Sequence, residues 1–201
     1  MLSIRWARNS QEAKEGSVRL RLVAFLACGA FAATLASFPT VAAASSGTRF
    51  VSKRNGYSIV LPGSTARWFA EYATANWTDT TIPGFGDPQL DTFQDHQTGR
   101  VYLLATRPAT SLRAWTKFVA SAPPPVCSAA RTLPASTLGG SPALVLTWSC
   151  SDGYNVFVLT ADHAHRGYML LVASPTSLPR ASDRSALDSV RRSFKFLHGV
   201  G

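Results

Sequence analysis

Methionine, cysteine and acidic residues are all scarce in this chain of 201 residues, which holds two, three and eleven of them. Three well-separated cysteines do not make a Cys-based zinc site, which needs more ligands at close spacing. No Gly-x-Ser-x-Gly elbow and no Ser-x-x-Lys pair occurs, so the many serines lack a recognisable activating context. Pro83-Gly84-Phe85-Gly86-Asp87 has two glycines but no lysine and no strand-to-helix setting, which excludes a phosphate cradle and leaves a mobile loop. Internal repeats and coiled-coil heptads are also lacking. With 46% hydrophobic residues, the chain is neither disordered nor collagen-like.

The shortage of acids leaves a formal net charge of +9. Five cations and two acids among residues 1–44 supply +3; the remainder, with 15 cations and 9 acids, supplies +6. Those cations are scattered along the sequence, which favours solubility and weak attraction to polyanions over a nucleic-acid surface. No nucleic-acid partner is expected. Beyond residue 44 arginine outnumbers lysine twelve to three, a bias suited to bidentate contacts with anions.

Leu22 to Ala44 is an almost unbroken apolar run, preceded by Arg19 and Arg21 and ending in Ala42-Ala43-Ala44. A basic region, an apolar stretch and a small-residue end describe a secretory signal, with cleavage expected before Ser45. The rival is an uncleaved anchor, since 23 apolar residues are enough to span a bilayer. A membrane association therefore follows only if residues 22–44 are retained. Loss of the signal removes Cys28 and leaves Cys127 and Cys150, which in an oxidising compartment most simply form one disulfide. Residues 45–201 are expected to form a single α+β domain.

Within that stretch, period-two patterning dominates. Phe50-Val51 runs through an Asn55-Gly56 turn into a strand over Tyr57–Leu61. A further strand is expected over Arg67–Tyr72, then a polar, Pro/Gly-rich loop over 76–90. Asp91–Asp95 and Val101–Arg107 read as a hairpin. Leu112, Trp115 and Val119 then fall on one helical stripe, capped by Thr110 or Ser111 and stopped by Pro123-Pro124-Pro125. Strands over Ala143–Cys150, Tyr154–Ala161 and Tyr168–Ser174 follow, joined by Asp152-Gly153 and by a turn over 162–167. A last helix over Ser182–Ser193 carries Leu187, Val190 and Phe194 on one stripe, with Arg191 and Arg192 at the end the helix dipole favours. Phe194-Lys195-Phe196 is a short closing strand. The pattern predicts a central antiparallel sheet of about six to seven strands, with two helices packed on it to cover one face.

Gly56-Tyr57-Ser58-Ile59-Val60-Leu61-Pro62 followed by Trp68 resembles the opening of the fold shared by PsbP and the Ran-binding protein Mog. Ser111-Leu112 through Trp115, the Gly140-Ser141-Pro142-Ala143 strand entry, Arg166-Gly167-Tyr168 and the terminal Ser193-Phe194-Lys195-Phe196 fit the same order. The resemblance spans residues 50–197 and looks like a small exported bacterial member of unknown function. It implies a PsbP/Mog-like sheet flanked by helices, generally no enzymatic activity, and docking to larger assemblies. No catalytic residue and no cofactor carries over. Departures are the absence of a photosystem-type metal signature and the export signal, which excludes a Ran partner.

Three constellations bear on function. Asp162-His163-Ala164-His165 places alternate histidines where a metal site is conceivable, but at a hairpin turn the expectation is an exposed polar turn. Asp91, Asp95 and His96 are remote partners for a metal or acid/base set, and read as a polar strand face. Neither is assigned as a metal or catalytic site. Trp68, Phe69, Trp77 and Phe85 flank or occupy the irregular segment 63–90, where aromatics line a ligand groove or protein contact, or else plug the core. The leading expectation is an exported, non-catalytic binding or interaction module of the cell envelope, its partner an envelope protein or a small ligand. The alternative is a small extracytoplasmic Asp/His-dependent hydrolase.

Overall fold

The computed structural model describes residues 47–123 and 126–197. The apolar run of residues 22–44 lies outside the described residues. Seven strands form the main sheet: β3 (Trp68–Glu71), β4 (Asp91–Asp95), β5 (Val101–Pro108), β6 (Arg131–Leu138), β7 (Ser141–Ser149), β8 (Tyr154–His163) and β9 (Arg166–Pro175). Their spatial order is β3-β4-β5-β9-β8-β7-β6, with every pairing antiparallel. Three further strands, β1 (Gly47–Ser52), β2 (Tyr57–Pro62) and β10 (Lys195–Phe196), form a second sheet in the order β1-β2-β10. The helices are α1 (Leu112–Ser121) and α2 (Arg180–Ser193).

Register decides which side chains go where. In β5, β8 and β9, Tyr102, Leu104, Leu159, Ala161, Leu170 and Val172 join one apolar cluster with Tyr57, Ile59 and Leu61 of β2 and with Leu187, Val190 and Phe194 of the α2 region. The alternate residues, including Leu103, Val158, Met169 and Leu171, join a second cluster with Trp115 and Val119 of α1. Both faces of the sheet are therefore covered. The expectation that the two helices share one face is corrected here: α1 packs on one face, and α2 lies with the small sheet on the other. The physical reason is visible in β5 and β9, whose residues 101–106 and 167–174 are all buried. A strand apolar on both sides needs cover on both sides.

Local signals explain the element ends. Ser111 caps α1, its hydroxyl accepting from the Ala114 N–H at 3.3 Å. Gly167 permits α1 to approach β9, because a Cβ there would collide with the Trp115 ring. β6 is absent from the sequence expectation. Its Arg-Thr-Leu-Pro-Ala-Ser-Thr-Leu has no apolar alternation, is exposed up to Leu138, and carries a bulge between Leu133 and Ser136 around Pro134. Edge strands tolerate proline and bulges and need no inward face.

The expected cysteine pairing is present. Cys127 and Cys150 are bonded, with Cα atoms 3.9 Å apart, and both pack against the α1-side cluster. Closing a loop of this length contributes roughly 3 kcal/mol through the entropy of the unfolded chain. A buried polar network ties the two sheets together on the opposite face. Asp91 accepts from Asn55 Nδ2 and Tyr57 OH, both at 2.7 Å, and from the Ala73 N–H at 2.8 Å.

Candidate functional site

The four aromatics singled out from the sequence do not share one environment. Trp68 is buried on the α2 face, its Nε1 donating to the Pro62 carbonyl at 3.0 Å. Trp77 is buried on the α1 face, donating to the Thr81 carbonyl and meeting Trp115 and Phe118. Phe69 and Phe85 are exposed, at 43% and 40%. The two tryptophans thus plug opposite cores, and only the phenylalanines present a large apolar surface.

The acids and histidines are likewise dispersed. Asp91 belongs to the inter-sheet network described above. Asp95 takes both arms of Arg67, at 2.8 and 2.6 Å, together with the Thr98 hydroxyl and the Gln97 N–H. Burial by itself would raise the Asp95 pKa, but these hydrogen bonds and the Arg67 charge outweigh it and hold the carboxyl at about 2. The β4–β5 turn carrying Asp95 and His96 lies at the other end of the sheet from the β8–β9 turn, as β5 runs from a partner of Ala173 to a partner of Arg166. Seven steps along that strand amount to about 24 Å. Among the described residues no group of three His, Cys, Asp or Glu side chains is placed to hold a metal ion.

A carboxyl whose folded pKa is depressed adds stability above its unfolded pKa of about 4, and loses it as pH falls towards 2. With Arg67 partly solvated, about 1–2 kcal/mol is expected from such a shift. Urea unfolding between pH 5 and pH 2 should show that extra acid loss in the wild type and not in Asp95→Asn.

At the β8–β9 turn the histidines part company. Ala164 and His165 form a two-residue turn with φ of 50° and 61°, left-handed values that cost non-glycine residues on the order of 1 kcal/mol each. This is a turn without the Asn-Gly signature, so its tightness was not legible in the sequence. His165 lines a cleft beside the start of α1, and His163 lines another beside the end of α2. In the first, of about 590 Å³, Arg107 is already engaged. Its guanidinium lies 4.7 Å from the Phe118 ring centre and donates to the Asp79 carbonyl at 2.7 Å.

The second cleft, of about 550 Å³, has uncommitted cations. The end of α2 and β10 bring Arg191, Arg192 and Lys195 to it, the β6–β7 turn brings Gly139 and Gly140, and Phe196 and Leu197 supply an apolar wall. Arg191 bonds Asp188 and Thr137, at 3.3 and 3.4 Å. Arg192 and Lys195 take part in no ion pair or side-chain hydrogen bond among the described residues. His163 stacks flat on Phe196, ring centres 3.9 Å apart and planes within 4°, with Nδ1 3.0 Å from the Ser141 hydroxyl. Gly139 is required: at φ 55° a Cβ would stand 2.8 Å from the Phe196 ring. No carboxylate lines this cleft among the described residues. Sequence reading assigned Arg191 and Arg192 only to the helix dipole. The signal it passed over is three cations and two phenylalanines within residues 191–196, with no acid among them.

No protein-family model matches the chain, and no curated protein sequence matches it. Solved structures do. The solution structure of cyanobacterial PsbP (CyanoP) from Synechocystis sp. PCC 6803 superposes with a TM-score of 0.51 at 15% identity, over 81% of this chain and 98% of that one. A protein from Bacteroides thetaiotaomicron VPI-5482 gives a TM-score of 0.48 at 10% identity, over 77% of this chain and 50% of that one. The fold is PsbP-like.

Proposed function

We propose that the protein is an exported, non-catalytic binding module of the cell envelope, and that the cationic cleft at the end of α2 receives its partner. The observation that carries the reading is the pair of unspent charges on Arg192 and Lys195 beside an apolar wall. A few placed polar groups on an apolar surface are what a binding site needs. Hydrolysis by acid and base would instead need those groups to converge, and the separate structural engagements of Asp91 and Asp95 argue against it. Export is supported by the Cys127–Cys150 bridge, since such bonds persist in oxidising compartments. No helix among the described residues is long and apolar enough to cross a membrane.

Two measurements test the reading. Mass spectrometry of the extracytoplasmic fraction should find a chain beginning within a residue or two of Ser45, with no free thiol. A cytoplasmic chain with Cys127 and Cys150 reduced would overturn the export half. Affinity capture from native envelopes should recover a partner with the wild type and lose it with Arg192→Glu/Lys195→Glu. Equal capture by both would move the binding surface elsewhere.

A further inference from the structure

Resting on the binding reading above, we infer that the α2 cleft takes a phosphate monoester, its phosphoryl group paired with Arg192 and Lys195 and its organic part against Phe196 and Leu197. Charge selects the class. Arg191, Arg192 and Lys195 bring three positive charges, while Asp188 on Arg191 removes one. The carboxyl end of α2 acts as about half a negative charge and partly opposes any anion there. The local surplus is thus about one and a half positive charges, which a monocarboxylate leaves partly unmet. A phosphate monoester carries about −1.5 to −2 near neutral pH and presents three acceptor oxygens. An arginine fork and a lysine point charge both suit those oxygens.

The walls agree with that assignment. At Gly140 an added Cβ would meet nothing within 4 Å, so the backbone is bare where the turn meets the cleft. His163, fixed by Phe196 and Ser141, keeps an exposed imidazole on the rim. A cleft of about 550 Å³ is within the range of small-ligand sites. The same phosphoryl chemistry is offered by a soluble ester and by the headgroup of phosphatidic acid.

Calorimetric titration of the whole protein with phenyl phosphate tests the assignment, with benzoate as the singly charged comparison. Phenyl phosphate is expected to bind at least about tenfold more tightly than benzoate, because two charged pairs replace one. Arg192→Gln/Lys195→Gln should lose at least about tenfold of that affinity, while Arg184→Gln, an exposed cation of α2 outside the cleft, should retain it. Unchanged thermal unfolding of the double variant shows that the fold is kept. Co-sedimentation with phosphatidylcholine vesicles, with and without phosphatidic acid, separates the sources. Binding to the acidic vesicles as well as to phenyl phosphate assigns the lipid, and binding to phenyl phosphate alone assigns a soluble ester. Equal binding by the double variant, or by benzoate, overturns the inference. Capture of an envelope partner without any phosphate binding overturns it while sparing the module reading. Hydrolysis of p-nitrophenyl phosphate in the cleft would uphold the site and overturn the non-catalytic reading.

Discussion

Arg100→Met is expected to destabilise the protein by about 3–5 kcal/mol, the usual cost of stripping one partner from a buried ion pair. Arg100 Nη2 donates to Asp183 Oδ1 at 3.0 Å and to the Ser182 hydroxyl at 3.2 Å, while its Nε donates to the Ser174 hydroxyl at 2.8 Å. These contacts join the start of β5 and the end of β9 to the first turn of α2. Asp183 is fully buried, and its Oδ2 already lacks a hydrogen-bond partner among the described residues. Without the guanidinium, the carboxylate is left buried with no side-chain partner among the described residues. Replacing both partners removes that penalty, so Arg100→Met/Asp183→Leu should recover at least half of the loss. Urea denaturation of the three proteins at neutral pH provides the comparison. A double variant as unstable as Arg100→Met would show that the cost lies in packing rather than in a stranded charge.

Trp148→Ala should cost a similar amount, about 3–5 kcal/mol, by a different mechanism. Trp148 is 1% exposed and packs in the α1-side cluster with Leu146, Val156 and Val158. Deleting the indole opens a cavity that two paired strands on either side cannot collapse. Its Nε1 has no hydrogen-bond partner among the described residues, so the side chain contributes volume and not a polar contact. Trp148→Phe retains most of that volume and drops an unpaired donor; it should cost less than about 2 kcal/mol. Thermal unfolding without reductant would read the alanine variant as a fall of about 10 °C or more for a domain of this size. Equal losses for alanine and phenylalanine would sink the cavity argument.

The two residues differ in how far their neighbours in the chain reveal their burial. Trp148 was legible as a core residue, because Leu146, Trp148 and Cys150 share one face of a strand and alternate there with Thr147 and Ser149. Arg100 was not. An arginine after Gly99 in a turn region looks solvent-exposed until α2, some eighty positions later, folds back over it. Trp77 shows the same limit from the other side: no periodicity in residues 76–90 says whether an indole points out or in. The structure uses it as a plug over Trp115 and Phe118.

Most strands, the hairpin positions, a cap at Thr110 or Ser111, both helical stripes and the cysteine pair could be read locally, because each depends on residues close together in the chain. Period-two alternation sets a strand's faces, a hydroxyl caps the N–H three residues on, and only two cysteines lie beyond the apolar run of residues 22–44. The division of the strands into two sheets, the placing of α1 and α2 on opposite faces, and β6 as an exposed edge were decided by tertiary packing. So was the cleft. Its cations come from α2 and β10, its bare turn from β6–β7 and its imidazole from β8, elements up to about sixty residues apart. Charge and shape converge there only because burying two apolar faces of one sheet brings those ends together, a long-range requirement that no local window contains.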